Sequence, residues 1–131
     1  MSFVKKVTRH YQDNKGMNKM KLNEVIDAMN AAVVCGGDGE CDITGVITGD
    51  LLSFVIGEAK EGEIWVTIQI HLNVAAVAVL KELPMIILSS GREPSMELVN
   101  KCQEENIALI VVKESAYDVC AKLHELLKNR E

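Results

Sequence analysis

The sequence predicts an α/β domain built on a mostly parallel central sheet of four to five strands, with helices on both faces. Three observations predict it. Residues 64–70, 85–88 and 107–112 are apolar runs rich in strand-forming side chains. A helical pattern separates each run from the next. The runs are apolar on both faces rather than alternating, as in parallel strands that helices cover from both sides.

The elements follow in chain order. Asn23 is placed to cap a helix to about Asn30, with Val25, Ile26 and Met29 on its inner face. Residues 31–35 read as a short strand, and Gly36-Gly37-Asp38-Gly39 as a turn. Residues 43–48 form a second strand, interrupted at Gly45, and Asp50 caps a helix to about Ala59 that Glu61-Gly62 stops. Residues 64–70 are the strongest strand signal in the chain. Asn73 caps a helix over 74–83, and Pro84 ends it. After strand 85–88 comes a loop at 89–93, and Pro94 opens a helix to about Glu105. Strand 107–112 leads to Ser115-Ala116-Tyr117-Asp118, a capping-box pattern with Asp in place of Glu. The last helix runs to about Lys128, with Val119, Leu123, Leu126 and Leu127 inward.

A chain of 131 residues suits one domain. That domain is expected over residues 20–131, after a basic extension at 1–19 that is dispensable for folding. Residues 1–21 hold six cationic side chains (Lys5, Lys6, Arg9, Lys15, Lys19 and Lys21) against Asp13 alone, a balance of +5. With the whole chain at −5, the other 110 residues carry −10. Within the extension, Phe3, Val7 and Tyr11 recur at i, i+4 before Gln12-Asp13-Asn14-Lys15-Gly16 breaks the pattern. The acidic body repels nucleic acid and anionic lipid, and aromatics at 4% leave no base-stacking surface, so no nucleic-acid partner is expected. No apolar run approaches the ~18 residues of a membrane span, so no membrane partner is expected either. Cys35, Cys41, Cys102 and Cys120 show no CxxC or Cys/His ligand spacing. They read as reduced thiols of a cytoplasmic protein, with no metal and no cofactor implied.

Candidate site residues come from where the loops fall. Ligands bind α/β sheets at the carboxyl ends of parallel strands. That edge is expected to gather Gln69, His71, Ser89, Ser90, Arg92, Lys113 and Ser115, with Thr44, Gly45 and Thr48 close by. Arg92 and Lys113 make a small anionic ligand its expected occupant. His71 has no HxH or HExxH companion, and no nucleophile–base order or carboxylate pair stands out, so no catalytic residue is assigned. Helix 74–83 is apolar nearly all round and needs cover on both sides. A homodimer is expected to supply it through Val74, Val77, Ala78 and Val79, with a neighbouring helix or the N-terminal extension as the alternative cover.

Asp42-Ile43-Thr44-Gly45-Val46 followed by Thr48-Gly49-Asp50-Leu51-Leu52 resembles the motif that names the DRTGG domain family. The stretches Gly62 to Ala78 and Gly91-Arg92-Glu93-Pro94 extend the resemblance, which covers about residues 20–127. The sequence departs from the motif at Ile43, where the family has arginine, and at Val46, where it has a second glycine. The resemblance implies an α/β fold similar to the N-terminal domain of HPr kinase/phosphatase. It also implies a non-enzymatic role, since DRTGG regions of phosphotransacetylases and CBS-domain pyrophosphatases look like regulatory or dimerising modules. The expected function is therefore a ligand-sensing or dimerisation module, with a protein partner as the other possible occupant. Two alternatives stand beside it: an enzyme, or an accessory subunit of one, acting on phosphate or acyl compounds, and a purely structural assembly domain.

Overall fold

A computed structural model describes residues 20–128. The basic extension expected at 1–19 lies outside the described residues. Chain order is β1 (Met20–Lys21), α1 (Leu22–Met29), β2 (Ala32–Cys35), β3 (Asp42–Ile43), β4 (Gly45–Thr48) and α2 (Leu52–Glu58). Then come β5 (Glu63–Thr67), α3 (Leu72–Leu80), β6 (Met85–Leu88), α4 (Met96–Glu104), β7 (Ala108–Val111) and α5 (Ala116–Lys128).

The main sheet has five strands in the order β2-β7-β6-β5-β4. Strands β4, β5, β6 and β7 are parallel, and β2 runs antiparallel to β7 along one edge. This is the mostly parallel architecture the apolar runs predict. Helices cover both faces. Val55 of α2, Val74, Ala75, Val77 and Ala78 of α3, and Leu98 and Cys102 of α4 pack with Trp65, Ile86, Leu88 and Leu109 on one face. On the other, Leu22, Val25 and Met29 of α1 and Val119 and Leu123 of α5 pack with Ile64, Val66, Met85, Ile87 and Ile110. Alternate residues of β5 and β6 thus enter opposite cores, and both strands are buried throughout their apolar length. Burial pushes the Cys102 thiol up to about 12, with nearby Cys35 adding to the shift, so Cys102 packs as a protonated small hydrophobe. All four cysteines are free thiols.

Side chains that compete for backbone donors moved several expected boundaries. The strand expected over 64–70 ends at Thr67. Beyond it the Ile68 N–H donates to the Asp50 carboxylate (3.0 Å) and the Gln69 N–H to Thr67 Oγ1 (3.1 Å), so neither extends the ladder. With its carboxylate so engaged, Asp50 does not cap α2, which starts at Leu52 with Leu51 at the cap position. Asn23 and Asn73 are not caps either, because α1 and α3 start at Leu22 and Leu72. Pro94 lies just outside α4, where Ser95 accepts from the Leu98 N–H at 3.1 Å. Ser115 caps α5 as its sequence suggests, accepting from the Asp118 N–H at 3.2 Å.

The strand expected over 43–48 splits at Thr44, not Gly45. Thr44 donates its hydroxyl to the Glu61 carbonyl (2.8 Å) and its N–H to the Gly62 carbonyl (3.0 Å). Before the split, β3 pairs antiparallel with β1, an element the periodicity did not announce. After it, β4 joins the main sheet beside β5. Gly62 makes the close approach possible: its φ is +86°, and a Cβ there would lie 2.7 Å from Thr44 Cγ2.

Candidate functional site

The carboxyl ends of β4, β5, β6 and β7 lie side by side along one edge of the sheet. Two hydrogen-bonded webs organise the loops there. The first joins β4 to β5. Asp50 accepts from the Thr67 hydroxyl (2.7 Å) as well as from the Ile68 N–H, and Gln69 Nε2 donates to the Asp50 carbonyl (2.9 Å). Trp65 Nε1 donates to the Gly49 carbonyl at 2.9 Å, and Thr48 gives its hydroxyl to the Val66 carbonyl at 3.2 Å.

The second web joins β6 to β7. The Ser90 N–H donates to the Glu114 carbonyl (2.7 Å) and the Gly91 N–H to the Val112 carbonyl (2.8 Å). Both residues are left-handed, with φ of 60° and 67°. For a serine that conformation is uncommon and costs on the order of 1 kcal/mol or more. The two webs meet where the Ser95 N–H donates to the Ile70 carbonyl (2.9 Å).

This geometry sorts the expected site residues. Thr48, Gln69, His71, Ser89, Ser90, Arg92, Lys113 and Ser115 all fall at the carboxyl edge. Thr44 and Gly45 do not: Gly45 starts β4 and Thr44 immediately precedes it, so they sit at the opposite edge. There Thr44 lines an open groove of about 420 Å³ with the acidic side chains of Asp42, Glu61 and Glu82. Within the carboxyl-edge set, Thr48, Gln69 and Ser115 are committed to their own chain. Arg92 and Lys113 are exposed and pair with no acidic side chain among the described residues. The backbone bonds of the second web hold their two loops together. His71 is exposed and precedes α3 without a side-chain cap bond.

Ser89 is fully buried, and its hydroxyl has no hydrogen-bond partner among the described residues. An unmet buried hydroxyl costs on the order of 1–3 kcal/mol. Ser89→Ala is therefore expected to raise stability by about 1 kcal/mol, read as a higher urea midpoint at unchanged slope. A loss of stability would show that the hydroxyl has a partner in solution.

Sequence reasoning missed Asp50 and Thr67 as members of this edge. Asp50 immediately precedes a helical pattern, which favours the capping reading, and only the parallel pairing of β4 with β5 brings it to Thr67.

The dimer residues expected on α3 need correction. Val74, Val77 and Ala78 are buried inside their own chain, because that face of α3 lies on the sheet. The exposed face is Leu72, Ala76, Val79 and Leu80, and of the expected four only Val79 belongs to it. It lies beside α2, which exposes Phe54, with Leu51 exposed at its cap position. Among the described residues, no helix is long and apolar enough to cross a membrane, and no group of three or more His, Cys, Asp or Glu converges as a metal site.

No family model matches the sequence, and no curated protein does. The fold does have a likeness among solved structures. It is similar to the crystal structure of the CBS and DRTGG domains of the regulatory region of Clostridium perfringens pyrophosphatase, complexed with activator, diadenosine tetraphosphate. The TM-score is 0.66 at 14% sequence identity, over 91% of this chain and 56% of that one. The chain thus spans little more than half of that structure's length, and its fold is the DRTGG-like α/β fold that the sequence resemblance implies.

Proposed function

We propose that this chain is a non-enzymatic regulatory module of the DRTGG type that senses a small anionic ligand at the carboxyl edge of its sheet. The observation that carries this is the pair Arg92 and Lys113. Two exposed cations, paired with no acidic side chain among the described residues, stand on adjacent loops of a body that is otherwise acidic. The left-handed Ser90 supports it, since backbone strain of this kind clusters where ligands bind. The structural likeness also fits, because that regulatory region was captured with a polyphosphate activator.

The test is a thermal-shift screen with diadenosine tetraphosphate, ATP, acetyl phosphate and coenzyme A. A ligand that binds the folded state alone raises the midpoint by mass action. For the ligand that does so, Arg92→Ala is expected to weaken binding by about one to two powers of ten, the worth of a charge-assisted contact of about 1.5–3 kcal/mol. The unliganded midpoint should stay where it was, because the exposed Arg92 side chain pairs with no acidic side chain among the described residues. No shift with any compound would return the edge to a set of loop closures, and the assembly-domain reading would take over.

A homodimer is a second part of this reading, and the exposed stripe of α3 favours it. Leu72 is 46% exposed, Val79 40% and Leu80 64%, with Phe54 of neighbouring α2 at 48%. Apolar residues so grouped mark an association surface. Light scattering at micromolar concentration is expected to give about twice the chain mass, and Leu80→Asp to give a folded monomer. A monomeric parent chain would remove this part and leave the ligand site untouched.

A further inference from the structure

Three exposed aliphatic side chains stand at the carboxyl edge, two of them where local physics favours polar residues. Leu51 holds the cap position of α2, which prefers Ser, Thr, Asp or Asn, while Asp50 stands one residue too early. Ile68 lies in the turn after β5, and a β-branched residue suits a strand better than a turn. Met96 opens α4. Leu51 is 67% exposed, Ile68 37% and Met96 70%, so packing within the core does not account for them. Single exposed aliphatics are ordinary, but a group of them marks a binding surface.

Hydrogen bonds hold the group together. The Asp50 carboxylate accepts from the Ile68 N–H, which sets neighbouring Leu51 beside Ile68. The Ser95 N–H donates to the Ile70 carbonyl, which brings Met96 to the same turn. The loop of Arg92 is built on that strand end as well. The Ser89 N–H donates to the Thr67 carbonyl (3.1 Å), and the Arg92 N–H returns to the Ser89 carbonyl (3.3 Å). From β4 to β6 is two strand spacings, about 10 Å, comparable to an extended octyl chain. Val79 and Leu80 of the α3 stripe lie toward the opposite edge, because α3 carries the chain from the end of β5 back to the start of β6.

We propose that the ligand sensed at this edge is an amphipathic anion, an alkyl or acyl chain with a phosphate head. The head meets Arg92 and Lys113, and the chain lies across Met96, Ile68 and Leu51. This inference rests on the anion-sensing reading above and narrows it. A bare anion would use the two cations and leave the aliphatic side chains in water, whereas an amphipathic one satisfies both. The acidic body disfavours an anionic membrane surface as the source of that chemistry, so the ligand is a free compound.

Calorimetric titration of the full chain with ethyl, butyl, hexyl and octyl phosphate, each below its micelle concentration, tests this. Half-burying a methylene tightens binding about twofold, so octyl phosphate is expected to bind at least about tenfold tighter than ethyl phosphate. Arg92→Ala is expected to weaken every member alike. Met96→Ser and Ile68→Ser are expected to flatten the series and leave ethyl phosphate unchanged. If Ile68→Ser does not fold, Met96→Ser decides alone. Equal affinity along the series, with the Arg92 dependence kept, would overturn the inference and leave the anion-sensing reading standing. Binding without any Arg92 dependence would overturn both. A chain-length dependence that the serine variants leave intact would overturn the inference by placing the chain elsewhere. Serine variants that halve the mass in light scattering and leave the series unchanged would overturn it by assigning these side chains to a second copy. No binding by any member would overturn it too, and the thermal-shift screen would then decide the anion-sensing reading by itself.

Discussion

Trp65→Ala is expected to lower the thermal midpoint by on the order of 15 °C, the largest single effect in the fold. Trp65 is fully buried in the middle of β5. It belongs to the core that α2, α3 and α4 form over the sheet, with Val55, Val74, Ala78 and Ile86. Truncation removes the transfer free energy of the largest side chain in that core and leaves a cavity, together about 3–5 kcal/mol. It also removes the donor to the Gly49 carbonyl. Domains of this kind are stable by only about 5–15 kcal/mol, so the loss takes a large share. The conversion of roughly 3–5 °C per kcal/mol for a chain of this size gives the expected shift. Trp65→Phe separates the two contributions. It keeps most of the apolar volume and loses the N–H, so it should cost about 1–2 kcal/mol. Chemical denaturation at unchanged slope measures both. A cost below about 1 kcal/mol for the alanine variant would mean that Trp65 is not packed as described.

How much of this fold was legible in the sequence depends on the range of the interaction that decides each feature. The apolar runs at β5, β6 and β7 announced themselves because burial on both faces leaves no polar alternation to obscure them. Ser115 was legible as a cap because its partner, the Asp118 N–H, is three residues away. Asp50 was not, because the same side chain that suits a local cap meets Thr67 only after β4 and β5 align. Thr44 failed for the same reason: its partners at Glu61 and Gly62 fix it to the opposite edge, and nothing within its own segment signals them. The face of α3 was illegible in principle. In Val74 to Leu80 every side chain is apolar, so no periodicity distinguishes the buried Val77 and Ala78 from the exposed Val79 and Leu80. At the candidate site, the clustering of Gln69, Ser89, Ser90, Arg92 and Lys113 followed from the parallel-strand reading alone. Which of them are free to bind did not, because that depends on partners such as the Asp50 carbonyl.

Asp50→Ala should destabilise the protein by about 2–4 kcal/mol, although Asp50 itself is exposed. Its carboxylate takes the Thr67 hydroxyl at 2.7 Å and the Ile68 N–H at 3.0 Å, and Thr67 is only 1% exposed. Hydrogen bonds to a charged acceptor contribute about 1.5–3 kcal/mol, and the buried Thr67 hydroxyl left behind adds its own desolvation cost. Surface aspartates without such partners are usually neutral to substitution within ±0.5 kcal/mol, so the size of the effect is diagnostic. Asp50→Asn should recover much of the loss, because the amide oxygen can still accept from both donors. A double-mutant cycle with Thr67→Val should return a coupling of at least about 1 kcal/mol. The consequence reaches the candidate site. The same carboxylate ends β5 at Thr67, and the turn it holds delivers Gln69 and the Ile70 carbonyl, which accepts from Ser95 ahead of α4. Amide exchange at Ile68 should therefore speed up in Asp50→Ala far more than exchange at Ile64 in the middle of the sheet. If the variant is as stable as the parent and Ile68 stays protected, the turn is held by backbone geometry alone, and Asp50 is an ordinary surface carboxylate.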